Sequence, residues 1–315
     1  MTTSVALCTY NGERYIREQL ESILNQTVKV DEIVVCDDGS TDNTLPIIEG
    51  LAVTTYTSIH IHRNETNLGP AKNFQKAINL CSGDIIFLSD QDDVWMPDKV
   101  AAIINYFESN HTINVVFTDG NLMAGSTIIG SLWQCFGITP KSLNAINEGF
   151  GIELFAYENR ATGATMAVRR TFEPLKALTT YCHADIIHDG ALAMMALNSN
   201  QLGYINKRLI NYRIHSNQEC GIGDCLKNPW SDDPRSSSNI ATVWNHLSLP
   251  SPLSERIAFI ANRDRRKHQP LGPVRLLKQL KYYRKFYGNL WLSFFFYDLQ
   301  QWPKNMLMSF SKIKK

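Results

Sequence analysis

The chain has 315 residues, 44% of them hydrophobic, and a formal net charge of +1. That length allows one main α/β domain of roughly 220 residues with an appended C-terminal segment. The near-zero charge conceals two opposite halves: from Ser254 onward there are 14 Lys/Arg against 3 Asp/Glu, and before it 17 against 27. A basic, surface-seeking tail on an acidic catalytic body is the expectation. No stretch approaches the roughly 20 apolar residues of a membrane span; the nearest, Leu290 to Leu299, contains Asp298. Met1 to Tyr10 has neither the charged start nor the long apolar run of a signal peptide and reads as a first strand. Seven scattered cysteines, an odd number, favour reduced thiols in the cytosol. Cys220 and Cys225 are the only local pair, and their spacing is wider than zinc sites usually use, with no second pair elsewhere.

In chain order, Ser4–Thr9 is strand-like, Glu13–Gln26 helical, Asp31–Cys36 a strand, and Asp42–Leu51 a helix capped by Thr41 or Asp42. Ser58–His62 is a strand, Gly69–Leu80 a helix, Asp84–Ser89 a strand, Pro97–Phe107 a helix and Asn114–Thr118 a strand. This βαβα order predicts a mostly parallel sheet flanked by helices. Residues 121–160 are rich in Gly, Asn and aromatics; beyond them a strand at Gly163–Val168, a helix at Asp189–Ser199 and a strand pair near Leu202–Tyr212 are expected. The domain plan is an α/β domain over 1–216, divided near residue 120 into a first half (1–120) and a second half (121–216) that the resemblance described below makes the nucleotide and acceptor halves, then a Pro/Gly/Ser-rich linker over 217–253 and a helical segment over 254–315.

Ligands of such sheets bind at the carboxyl ends of the strands, so the polar clusters after the strands carry the interest. Cys36-Asp-Asp-Gly-Ser-Thr-Asp42 follows a strand. Its carboxylates can accept from a pyrimidine N3–H and ribose hydroxyls, or the segment is a plain strand-to-helix turn. Leu88-Ser-Asp-Gln-Asp-Asp-Val-Trp95 follows another. In extended backbone Asp90 and Asp92 leave the same face and can converge on one hard cation, Mn2+ or Mg2+, of the kind that also binds substrate phosphates. A solvated acidic turn is the alternative.

Taken in order, Cys8-Thr-Tyr-Asn-Gly12, Asp37-Asp-Gly-Ser-Thr-Asp42, Asn67-Leu-Gly69, Ser82-Gly-Asp84, Ser89-Asp-Gln-Asp-Asp93, Thr162-Gly163 and His188-Asp189 resemble glycosyltransferase family 2 over about residues 3–215. Within it the chain is similar to the rhamnosyltransferase-like members, where the Ser-Asp-Gln-Asp-Asp-x-Trp form is common. The resemblance implies a GT-A fold (a Rossmann-like nucleotide-sugar-binding domain) and single displacement with inversion at the anomeric carbon. It implies that Thr9, Asn11 and Asp37 or Asp38 bind the nucleotide, that Asp90-Gln91-Asp92 is the DXD motif with Asp92 the direct metal ligand, and that Asp93 lies near the donor sugar. Thr162 and Gly163 fall on the acceptor side, with Asp189 as general base. His215 would complete the metal site or be a packing histidine; Arg213 would pair with the diphosphate or form a structural ion pair; His188 would bond near the base or cap its helix, with no catalytic role assigned.

The implied donor is a nucleotide-diphosphate sugar, dTDP-L-rhamnose or alternatively a UDP-hexose or UDP-N-acetylhexosamine, and the acceptor a glycan or lipid-linked glycan. Gly190 stands where such relatives often carry an aromatic, and the Gln-x-x-Arg-Trp motif of processive synthases is absent, so one transfer per encounter is expected. The competing classes are a haloacid-dehalogenase-type phosphatase, because Asp90-Gln-Asp-Asp-Val94 also fits D-x-D-x-[TV], and a non-catalytic nucleotide-sugar-binding protein. No P-loop or G-x-G-x-x-G is present. In the tail, nine cations from Arg263 to Lys285 precede six aromatics from Trp291 to Trp302. That order suits peripheral attachment to the anionic inner face of the cell membrane and not nucleic-acid binding, the alternative being packing on the catalytic domain or a homodimer partner.

Overall fold

The computed structural model describes residues 1–149, 151–155, 160–182, 187–215 and 218. The expected linker at 217–253 and the basic segment at 254–315 therefore lie outside the described residues, Gln218 excepted. The elements are β1 (Thr3–Thr9), α1 (Ile16–Leu24), β2 (Glu32–Asp37), α2 (Thr44–Ala52), β3 (Ser58–Arg63), α3 (Pro70–Leu80), β4 (Ile85–Ser89), β5 (Val94–Trp95), α4 (Lys99–Ser109), β6 (Val115–Ala124) and β7 (Thr127–Ser131). They continue with α5 (Leu132–Cys135), α6 (Pro140–Asn147), α7 (Gly151–Phe155), β8 (Ala167–Arg169), α8 (His188–Asn198) and β9 (Leu202–Ile214), with 3-10 turns at Gly163–Thr165 and Glu173–Tyr181.

The strands form one sheet in the order β3-β2-β1-β4-β8-β6-β9-β5, with β7 paired to β6. Strands β3, β2, β1 and β4 are parallel, as the alternating order predicts. Val5, Ala6, Leu7 and Ile85 to Leu88 are fully buried, because helices cover both faces and leave no polar side for alternation. The second half is mixed: β8 is antiparallel to both β4 and β6, β6 and β9 are parallel, and β5 is antiparallel to β9. The expectation of a mostly parallel sheet thus holds for the first half only. β8 causes the change, since it arrives from the 163–165 turn and runs back between β4 and β6.

Two local expectations are corrected. Gly163–Val168 is not one strand: the 3-10 turn at Gly163–Thr165 comes first and only Ala167–Arg169 pairs with the sheet. The expected strand pair near 202–212 is a single strand, β9, whose register against β6 slips from Thr118↔Ile205 to Asp119↔Arg208. The slip leaves Asn206 and Lys207 outside the pairing and lets one strand serve β6 along its length while its far half also receives β5.

Three helices matter most for the site. α1 lays Ile16, Leu20 and Ile23 on the sheet, the one-turn spacing of an amphipathic helix. α3 buries Phe74, Ala77 and Ile78. α8 has no polar side; Ala191 to Leu197 are all buried, which suits a helix enclosed by its neighbours.

Candidate active site

The carboxyl ends of β1, β2 and β4 carry Thr9, Asp37 and Ser89, and the turns that follow them build one wall of a cleft. Asp37 is fully buried and internally satisfied: Oδ2 accepts from Thr9 Oγ1 (2.9 Å) and Ser40 Oγ (2.5 Å), and Oδ1 from the N–H groups of Gly39 (3.2 Å) and Ser40 (2.9 Å). It ties the turn together. Gly39, at φ +91°, supplies the left-handed step that turn requires. Asn11 does similar work, accepting from Thr41 N–H (2.9 Å) and taking a φ of 48°. Neither Asp37 nor Asn11 lines the cleft. Asp38 does, together with Thr9. Asp38 Oδ1 accepts from Asn64 Nδ2 (2.7 Å) and Leu68 N–H (2.8 Å), while Oδ2 accepts only from Gly69 N–H (2.9 Å) and so keeps a lone pair for a further donor. Asp38 also borders an adjoining recess with Tyr10 and Arg63.

After β4, Asp90, Gln91 and Asp92 line the cleft. Gln91 clamps the first turn, accepting from Tyr10 N–H (2.8 Å) and donating to Tyr10 O (2.9 Å). Asp92 Oδ2 meets His215 Nε2 at 2.7 Å, so a residue at the end of β9 reaches the middle of the acidic cluster. Enclosure pushes the Asp90 carboxyl up to about 7, and the charges of Asp92 and Asp189 push the same way. Asp93, expected near the donor sugar, is 1% exposed and does not line the cleft. One of its oxygens accepts from Arg213 N–H (2.9 Å) and the other has no hydrogen-bond partner among the described residues, and burial raises its carboxyl well above the usual range.

Arg213 is likewise committed away from the cleft. Its guanidinium donates to Asp92 O (2.7 Å) and Glu18 Oε2 (2.5 Å) and lies 4.6 Å from the centre of the Tyr15 ring. Of the two readings of Arg213, this geometry favours the structural ion pair.

The rest of the lining comes from the second half of the chain, residues 162–163 and 187–189 among them. Gly163 N–H donates to Asp189 Oδ2 (2.9 Å), and Gly190 N–H to Asp189 Oδ1 (2.6 Å), so the first turn of α8 holds this carboxylate toward the cleft beside Thr162 and Gly163. A side chain at 163 would put its Cβ 2.8 Å from His188 Nε2, so the position requires glycine. Thr9, Asp38, Asp90, Asp92, Thr162, Gly163 and Asp189 are thus brought to one cavity of about 210 Å3, and Asn11, Asp37, Asp93 and Arg213 are not.

The pattern of Glycosyl transferase family 2 matches residues 4–156. The dTDP-rhamnosyl transferase RfbG of Shigella flexneri is 30% identical over 234 residues, spanning 70% of this chain and 75% of RfbG. The chain belongs to glycosyltransferase family 2. Among solved structures, TarS of S. aureus (residues 1–349) in complex with UDP-GlcNAc superposes with a TM-score of 0.56 at 17% identity, covering 90% of this chain and 81% of that one. The mannosyltransferase PcManGT of Pyrobaculum calidifontis, in complex with GDP-Man and Mn2+, gives 0.52 at 16%, covering 83% and 79%. These likenesses establish the GT-A fold of this glycosyltransferase. Family membership removes the haloacid-dehalogenase reading of Asp90-Gln-Asp-Asp-Val94, whose motif would have to follow the first strand and here follows the fourth.

Sequence reasoning missed Lys99, beside the acidic cluster of this glycosyltransferase, and Tyr212, on the cleft wall. Lys99 is completely buried, donates to Ala164 O (2.6 Å) and lies 4.0 Å from the centre of the Trp95 ring. Burial brings its ammonium down to about 7, against the opposing pull of Asp93 and Asp90. The signal was there: Lys99, Ile103 and Phe107 fall on one helical stripe with Val100, which places a lysine on an apolar face. Tyr212 also lines the cleft and carried no sequence signal for it, while His188, singled out with Asp189 but given no catalytic role, lines it too.

Proposed function

We propose that this chain is an inverting, metal-dependent, non-processive transferase that moves a sugar from dTDP-L-rhamnose to a glycan or lipid-linked glycan acceptor in cell-surface polysaccharide synthesis. The observation that carries the reading is one cleft lined by both Asp92, which His215 meets from behind the lining, and the Asp189 carboxylate. Asp38 takes the base or ribose, because of the two acids after β2 it alone faces the cleft.

The donor set fits a hard divalent cation. Among the described residues no group of three or more His, Cys, Asp or Glu side chains could hold a metal ion. Asp92 and His215, with Asp90 nearby, therefore offer a partial site of the kind Mg2+ and Mn2+ occupy with waters and substrate phosphates. A cation held there would neutralise the departing nucleoside diphosphate without a proton donor. Asp189, held from behind by two backbone N–H groups, accepts the acceptor hydroxyl proton from the opposite side, which is the arrangement inversion needs.

The donor assignment draws on the similarity to RfbG. It is tested by thermal shift in Mn2+ with dTDP-L-rhamnose, UDP-glucose and UDP-N-acetylglucosamine, since a ligand at 100 times its dissociation constant adds about 2.7 kcal/mol. Stabilisation by the dTDP sugar followed by transfer with an inverted anomer, read by NMR, supports the reading. Stabilisation by a UDP sugar alone replaces the donor, and stabilisation by none refutes all three donors.

Attachment to the anionic inner face of the membrane is proposed for residues 254–315 from their charge order. Among the described residues no helix is long and apolar enough to cross a membrane. Salt-sensitive co-sedimentation of the full chain with anionic liposomes, absent with neutral ones, is the expected result; equal sedimentation with both refutes it.

A further inference from the structure

His188 opens α8 and faces the cleft, yet it is only 4% exposed. Its ring stacks on Phe74 of α3, centroid to centroid 3.9 Å with 23° between the planes. Nε2 lies close beside the Cα of Gly163, near enough that a Cβ built there would sit 2.8 Å from it. Neither ring nitrogen has a hydrogen-bond partner among the described residues.

Buried polar atoms are ordinarily bonded, and an orphaned pair at a cavity wall marks a place where something else completes the bonds. If the position needed only an aromatic plate against Phe74, a phenylalanine would serve without that penalty. Burial also lowers the affinity of the ring for a second proton, the Asp189 charge opposing this in part. A neutral imidazole presents one N–H donor and one acceptor, which suits a hydroxyl and not a phosphate. The ring opens α8 beside Gly163 and leans on α3, the helix preceded by the Gly69 N–H that holds Asp38, so it sits where the two walls of the cleft meet, within reach of a sugar carried by a nucleotide at Asp38.

We propose that His188 is a specificity-determining residue that hydrogen-bonds a hydroxyl of the sugar carried by the nucleotide donor. The inference rests on the transferase reading above.

The test compares nucleotide and nucleotide sugar on the full chain in Mn2+. Thermal shifts with dTDP and dTDP-L-rhamnose, and with UDP and UDP-glucose, are measured for wild type, His188→Phe and His188→Gln. Phenylalanine keeps the stack and removes both nitrogens; glutamine restores a donor and an acceptor. The expected result is an unchanged response of His188→Phe to the nucleoside diphosphate, loss of the additional shift from the sugar, a rise of about tenfold or more in donor KM, and partial recovery in His188→Gln. An undiminished sugar increment in His188→Phe overturns the proposal, whatever happens to turnover. If His188→Phe does not fold, the same comparison on His188→Gln and His188→Asn decides it, an increment lost in both being the overturning result for a hydrogen-bonding role. A wild type that responds to no nucleotide overturns the transferase reading itself, which the mutant comparison cannot do.

Discussion

Replacing Asp189 by Asn changes one atom of the site and separates chemistry from binding. In the native chain both carboxylate oxygens accept backbone N–H groups, from Gly163 at 2.9 Å and Gly190 at 2.6 Å. An asparagine keeps one of these bonds and sets its NH2 against the other donor, a loss of about 1–3 kcal/mol. Part of that is returned, because the Asp189 charge is one of those pressing on Asp90. A net cost near 1–2 kcal/mol lowers Tm by about 2–8 °C in a domain of this size. The catalytic loss is larger. Removing a general base costs about 10²- to 10⁴-fold, or roughly 3–5 kcal/mol in the barrier. Because the nucleotide contacts lie on the opposite wall, donor affinity should be unchanged, and kcat and kcat/KM should fall together. The assay is initial rate against donor concentration at saturating acceptor, with donor affinity measured separately by calorimetry in Mn2+. A mutant that turns over at the wild-type rate, or one that loses donor binding while still turning over, refutes the assignment of Asp189 as base.

Asp92→Ala is expected to abolish both transfer and Mn2+-dependent donor binding, and His215→Ala to weaken both, since the two side chains meet at 2.7 Å; full activity in EDTA would count against a metal site. Lys99→Met should cost about 1–3 kcal/mol in urea unfolding, because it leaves the buried Ala164 carbonyl without its donor and removes the charge that opposes those of Asp90 and Asp93. Adding Asp93→Asn should recover part of this, and a single mutant as stable as wild type would refute the role. For pH, the folded carboxyl of Asp90 lies at about 7 against an ordinary 3.8, so the folded state binds the proton more tightly. Its stabilising contribution is complete below about pH 4 and is lost as pH rises toward about 7. In metal-free protein, Asp90→Asn should therefore flatten the fall in Tm across that range, and an unchanged profile would show that Asp90 does not titrate there.

What could be read from the chain alone was whatever depends on neighbours in sequence. The apolar runs at Val5–Leu7 and Ile85–Leu88, the one-turn spacing of Ile16, Leu20 and Ile23, and the Asp-rich turns after the second and fourth strands locate the parallel half of the sheet and its ligand-binding edge. Residue order also carried the family, because the glycine and acid clusters recur in sequence. The second half was less legible. The antiparallel entry of β8 and the bulge that lets β9 serve both β6 and β5 are settled by pairing partners far away in sequence. The same holds for individual side chains. Asp37 and Asp38 are adjacent and identical in type, yet one is consumed by Thr9 and Ser40 while the other faces the cleft. Asp92 meets His215 across 123 residues, and Arg213 is drawn to Glu18 across 195, both because β9 lies beside β5. Local pattern fixes which acids reach the strand ends, but only the packing of distant strands decides which of them keeps an open lone pair.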